Sequence, residues 1–144
     1  MDYNTELERR IQVLEDIEAI KRLKAKYWHC VDGKDWDGLG DCLAEDFVFD
    51  NPHLGVMEGR DYVVKVLKKI MKDVTTSHQG HTPEIDIISE AVAVGRWALN
   101  DRVETPDKGF FSGRGIYQEE YIKVDGRWKI SRSKLTYALR DSST

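Results

Sequence analysis

Four side chains of this 144-residue chain could, by type and placement, move protons: Asp32, His81, Tyr27 and Asp101. Asp32 stands at the C-terminal end of a long helical pattern, directly before Gly33. A helix end carries partial negative charge, so an acid there costs about 0.3–1 kcal/mol where a base would gain it. Local rules broken at a single residue often mark function. His81 is the expected partner, because a neutral imidazole is a usable base near pH 7 and a carboxylate on its other nitrogen fixes the tautomer and stabilises the imidazolium. Taken alone, His81 would more often be a hydrogen-bonded structural histidine. Strand alternation in Ser77-His78-Gln79-Gly80-His81-Thr82-Pro83 puts Ser77, Gln79 and His81 on one face and His78 on the other. Histidines that point apart argue against a metal site, whose ligands on one strand should share a face. No serine stands in a G-x-S-x-G elbow, so the dyad is expected to act on a substrate proton or on water.

In the segment from Ala91 to Glu104 the odd positions include Ala93, Trp97, Leu99 and Val103, and Asp101 shares their face. A carboxylate taken out of water needs a partner or a cavity, since its desolvation costs several kcal/mol. Tyr27 lies on the apolar side of the first helical pattern, where its phenol can donate to a carbonyl or hydroxyl; a plain core tyrosine is the competing reading. Trp28, Phe49, Trp97 and Tyr137 are candidates to bind substrate, against the same competing role in the core. The cluster of Lys65, Lys68 and Lys69 reads as a solvated helix face.

The elements that must carry these residues follow from periodicity. Leu7, Ile11, Leu14, Ile17, Ile20, Leu23, Tyr27 and Val31 recur at spacings of three and four, predicting one helix face that ends at Gly33. A short helix is expected from about Trp36 to Leu43, a strand at Phe47 to Phe49 and a third helix from about Arg60 to Met71. After that the period changes to two, with strands at Thr75 to Thr82, Ile85 to Ile88, Ala91 to Val103, Phe110 to Val124 and Trp128 to Leu139. Asp125-Gly126 is the clearest hairpin signal. Helices first and long antiparallel strands afterwards mean an α+β domain with helices on one face of a bent sheet. One domain spans residues 1–144, with loose tails expected at about 1–4 and 141–144.

Acids and bases are interspersed, 26 against 22, for a net charge of −4, and no basic stripe tracks a phosphate backbone, so nucleic acid is not an expected partner. No run approaches a membrane span and the N-terminus has no apolar signal core. Cys30 and Cys42 form neither a CxxC element nor a disulfide framework, which fits a reducing cytoplasm.

The segments LKAKYWHCVDGKDWDGL, GHTPEIDI, GRWALNDRV and DGRWKIS together resemble the SnoaL-like branch of the NTF2-like superfamily, over about residues 7–139. The bile acid 7α-dehydratases are the nearest members, with scytalone dehydratase and hexachlorocyclohexane dehydrochlorinase more distant. The resemblance implies an α+β cone, a curved antiparallel sheet and about three helices around a deep apolar pocket. It implies that Tyr27, Asp32, His81 and Asp101 are pocket residues, that no metal or organic cofactor is needed, and that the chain forms a trimer or dimer. A basic residue of the bile acid enzymes falls at or near Tyr137 here, and the segment Asn51-Pro52-His53-Leu54-Gly55 at the pocket rim also differs from theirs. The implied activity is a cofactor-independent dehydratase acting on a hydroxylated, apolar, steroid-like or polyketide-like ring. An isomerase, an epoxide hydrolase or a non-catalytic small-molecule binder are the alternatives.

Overall fold

A computed structural model describes residues 2–143. Helices α1 (Tyr3–Gly33), α2 (Trp36–Asp41) and α3 (Arg60–Ile70) accompany strands β1 (Leu43–Asn51), β2 (Gly55–Glu58), β3 (Thr75–Ile87), β4 (Val92–Thr105), β5 (Gly109–Val124) and β6 (Arg127–Ser142). The strands form one curved, unclosed sheet in the order β2-β1-β6-β5-β4-β3. The β3-β4-β5-β6 meander is antiparallel, but β1 lies parallel to β6, so the sheet is mixed where an antiparallel one was expected. Parallel neighbours need a long crossover, and here β2, α3, β3, β4 and β5 separate β1 from β6 in sequence.

Several boundaries differ from the sequence reading. The segments expected as two strands around Pro83 are one strand, β3, with a register shift between His81 and Glu84 and a left-handed Thr82 (φ 49°). Such a bulge absorbs the proline without ending the pairing. β2 is too short to show a period, and β1 is longer than Phe47 to Phe49. α1 includes Gly33, and Lys34 adopts the left-handed cap (φ 56°), its backbone N–H donating to Cys30 and Val31 carbonyls. Lys34 also donates to the Lys72 carbonyl at 3.0 Å, so a tertiary contact holds the cap. The expected loose ends are partly within elements: Tyr3 and Asn4 start α1, capped by Asp2, and Asp141 and Ser142 end β6. Met1 and Thr144 lie outside the described residues.

The buried face of α1 carries Ile20, Lys24, Tyr27, Trp28 and Val31. Leu7, Ile11 and Leu14, expected on the same face, are exposed at 38%, 45% and 66%. The reason is geometric: seven steps covering the 24 residues from Leu7 to Val31 average about 3.4, less than the 3.6 of a straight helix, so the stripe winds off the core face.

Lys24 is a charged member of that face and its anchor. Its Nζ donates to Glu119 Oε2 at 2.9 Å, with both side chains wholly buried (0% exposed). Glu119 also accepts from Ser133 Oγ at 2.7 Å and Tyr121 Oη at 2.8 Å, and the Tyr121 oxygen accepts from Trp97 Nε1 at 3.1 Å. The ammonium lies 3.8–4.5 Å from the ring centroids of Tyr117, Tyr27 and Trp28. Burial pushes the Lys24 pKa down, against the pull of Glu119. Breaking one side of such a pair strands the other charge, whereas removing both is far cheaper. Lys24→Met is therefore expected to lower stability by about 3–5 kcal/mol in urea unfolding, and Lys24→Met/Glu119→Gln to lower it by less than the single change. Equal losses would show that the pair is not the source of the cost.

Candidate active site

The helices and the concave side of the sheet enclose a cavity of about 220 Å³, lined chiefly by apolar side chains. α1 contributes Tyr27 and Val31, α3 contributes Leu67 and Ile70 with its C-cap Met71, and the strands contribute Phe49, Val103, Phe111 and Leu135. Against this wall stand the polar groups of Thr76, His78, Asp101, Tyr137, Asn51 and His53.

Asp32 does not pair with His81. Its Oδ1 accepts from the Thr76 hydroxyl (2.9 Å) and lies 2.6 Å from His78 Nδ1, while Oδ2 accepts from the His78 backbone N–H (2.9 Å). His81 is solvent-exposed on the opposite face of β3. The alternation along this segment was legible, but parity alone does not say which face is inside. Register decides it: His78 sits directly across from Asp101, and directly paired residues share a face. Gly80, also inward, makes room for the Trp28 ring; a Cβ there would stand 1.8 Å from its Cη2. The inward set Thr76, His78 and Gly80 was therefore recoverable from Asp101 once the β3–β4 pairing was known.

These bonds also answer the misfit at the end of α1. Burial alone would raise the Asp32 pKa, but the His78 ring and N–H and the Thr76 hydroxyl outweigh it and hold the carboxyl below its ordinary value. A carboxylate can only accept, so Nδ1 of His78 carries the shared proton and Nε2 is the basic nitrogen of the neutral ring.

Across from His78, Asp101 is 6% exposed. Its Oδ2 accepts from the Tyr137 hydroxyl, and its buried Oδ1 has no hydrogen-bond partner among the described residues. Gly113 on β5 permits this pairing, because a Cβ there would stand 2.7 Å from the Tyr137 ring and 3.0 Å from Asp101 Oδ1. Burial, then the bond to Asp101, pushes the Tyr137 pKa up, and burial with the charge of Glu119 does the same for Tyr27. Both phenols thus remain protonated donors at ordinary pH.

Of the expected pocket aromatics, Phe49 and Tyr137 line the cavity, while Trp28 and Trp97 lie in the core behind it. Trp28, one residue beyond Tyr27, is turned by about 100° toward β3, and Trp97 is tied to Tyr121. His53 is a further rim residue, with its ring 5.8 Å from that of Tyr137 and 5.9 Å from that of Phe111. Burial and then the charge of Arg140 lower its pKa. Arg140 itself covers the Phe111 and Tyr137 rings at the same end of the cavity.

Residues 12–134 match the model of the SnoaL-like domain. The chain belongs to the SnoaL-like domain family, within the NTF2-like superfamily. Among solved structures, this SnoaL-like domain is similar to a scytalone dehydratase candidate from Novosphingobium aromaticivorans DSM 12444, at 25% identity and a TM-score of 0.86, over 94% of this chain and 92% of that one. It is similar to a Mycobacterium tuberculosis protein of unknown function at 27% identity and a TM-score of 0.76, over 86% of this chain and 72% of that one. A hexachlorocyclohexane dehydrochlorinase from Novosphingobium barchaimii LL02 shares the fold at 16% identity and a TM-score of 0.84, over 92% and 93% of the two chains. Among the described residues, no helix of the SnoaL-like domain is long and apolar enough to cross a membrane. Among the described residues, no group of three or more His, Cys, Asp or Glu side chains could hold a metal ion.

Two pH effects follow. A carboxyl with a lowered folded pKa contributes stability that is present above the unfolded value, near pH 4, and is lost as pH falls through the folded value. Asp32→Asn is thus expected to destabilise most near neutral pH, the difference from the parent closing in strong acid; a pH-independent difference would contradict this. For His53, a lowered pKa means that the neutral ring is favoured in the folded state. Its NMR titration midpoint is expected below 6.5, the ordinary value, and Arg140→Ala is expected to move it part of the way back up.

Proposed function

We propose that this chain is a cofactor-independent lyase that removes water from a hydroxylated, largely apolar cyclic substrate. The observation that carries this reading is the placing of Asp32–His78 beside Asp101–Tyr137 on one wall of the cavity, His78 and Asp101 being register partners on adjacent strands. His78 takes the place that the sequence reading gave to His81. Its Nε2 removes a proton next to a carbonyl or conjugated enone, and the C–H electron pair becomes the new double bond. The hydroxyl on the neighbouring carbon departs with that proton as water, so the reaction balances without a redox partner. Tyr27, a donor, binds the carbonyl oxygen as negative charge develops there. Asp101 Oδ1, the acceptor without a partner, takes a hydrogen bond from the departing hydroxyl and orients it. The apolar wall excludes water and strengthens each of these interactions. Phe49 and Tyr137 contact the substrate ring.

The cavity, about 220 Å³, is below the range of about 300–1,000 Å³ usual for drug-sized ligands. A one- or two-ring, polyketide-like substrate fits it better than a full steroid. Names among the structural neighbours support small-molecule elimination chemistry: one is called a scytalone dehydratase candidate and another a dehydrochlorinase. We place the protein in the cytoplasm, in keeping with the free thiols of Cys30 and Cys42, and as a homo-oligomer.

His53 favours one second reading. A second imidazole on the rim could return the abstracted proton to another carbon, which is isomerisation and leaves substrate mass unchanged. Incubation with a panel of cyclic hydroxy-ketones, read by mass spectrometry, is expected to show loss of water. Unchanged mass with a new retention time selects the isomerase, and no turnover across the panel with saturable binding makes the protein a binder. On a substrate so found, His78→Ala and Asp32→Asn are each expected to lower kcat by about 10²–10⁴-fold with the fold intact, while His81→Ala stays within about twofold, as expected of an exposed residue. A His81→Ala loss as large as that of His78→Ala would overturn the assignment.

A further inference from the structure

The first half of α1 has no use in the domain described so far. All buried residues of this 31-residue helix lie from Asp16 onward, so Tyr3 to Glu15 extend past the core. An isolated helix of that length is marginal in water, and its local support is slight: the Asp2 cap, the Glu6–Arg9 pair and a bond from Gln12 Nε2 to Asp16 Oδ1. Its solvent side nevertheless carries the exposed Leu7, Ile11 and Leu14, about a third of a turn away from the buried face.

These residues fall into a heptad register. Leu7 and Leu14 occupy d positions, and Asn4 and Ile11 occupy a positions. The flanks differ in charge: Glu8 and Glu15, at e, line one side of the stripe, and Arg10, at g, lines the other. All three are exposed, and the charge of Arg10 reaches Glu6 on its own helix. Two parallel copies bring g of one helix against e of the next heptad in the other, so Arg10 meets Glu15 on both sides of the seam. Antiparallel copies would set Arg10 against Arg10 and the acids against each other. Isoleucine at a with leucine at d favours two strands, and one asparagine at a fixes the register.

We propose that α1 residues 3–15 form a parallel two-helix seam with a second copy of this chain. Each domain then hangs from the far side of the helix pair, with its cavity unobstructed by the seam. This assembly does not depend on the reaction assigned to the cavity.

Sedimentation equilibrium of the full chain over micromolar to millimolar concentration tests it. The parent is expected to dimerise, and Ile11→Glu/Leu14→Glu to be monomeric with unchanged circular dichroism beyond the arm and unchanged domain unfolding. Arg10→Glu and Glu15→Arg are each expected to weaken the dimer by roughly fivefold, and the Arg10→Glu/Glu15→Arg double variant to restore it. Leu14→Cys is expected to cross-link to itself under mild oxidation, since d residues of parallel helices are opposite one another. A monomeric parent at millimolar concentration would overturn the proposal. So would an oligomer that survives Ile11→Glu/Leu14→Glu, or a charge exchange that fails to restore association.

Discussion

A lysine buried on the apolar face of α1 sets the position of nearly everything else. Lys24 could not stay in the core without Glu119, and Glu119 could not stay without Lys24, Ser133 and Tyr121. That mutual requirement fixes the rotation and height of α1 over β5 and β6, because slipping the helix by one residue would strand two charges away from water. The ammonium then serves as the packing partner of Tyr27, Trp28 and Tyr117. Tyr27 and Tyr117 form part of the cavity wall, and Trp28 supports β3 at Gly80, two residues from His78. A polar pair that contributes little net stability thus contributes alignment, which is what a site built from several elements needs.

The cavity uses the same economy. Asp32 pays for its place at the end of α1 by organising β3, accepting from Thr76 and twice from His78. The neighbouring strand supplies the opposing acid, since His78 and Asp101 are register partners. Two glycines make the packing possible: Gly80 admits Trp28 beneath the strand, and Gly113 lets Tyr137 reach Asp101. The result is one carboxylate, at the end of α1, oriented by a full set of donors and another, on β4, with an oxygen left over, in one apolar chamber. Two carboxylates with different surroundings can take different roles.

Legibility in the sequence followed the range of the interactions. The parity of β4 placed Asp101 on the buried face, and the misfit of Asp32 marked the end of α1, because each rests on residues close in the chain. The pairing of Asp32 with His78 spans 46 residues and depends on which face of β3 turns inward. Lys24 and Glu119 are 95 residues apart, and although Glu119 shares the parity of Tyr117 and Tyr121, nothing in its own segment names its partner. Leu7, Ile11 and Leu14 looked like core because a stripe at a spacing near 3.4 and one near 3.6 are alike over two turns and diverge over eight.

The sequence by itself determined the three helices and the run of long strands after them, the α+β class, the family, and the inward turn of Asp101 and Tyr27, all of which periodicity, turn chemistry and motif content encode locally. Tertiary structure alone decided the imidazole that Asp32 holds, the parallel seat of β1 beside β6, the partner that lets Lys24 be buried, and the removal of Trp28 and Trp97 from the cavity. Each of these is a choice between alternatives equal in local energy. Only the simultaneous satisfaction of charges, hydrogen bonds and volume across the whole sheet separates them.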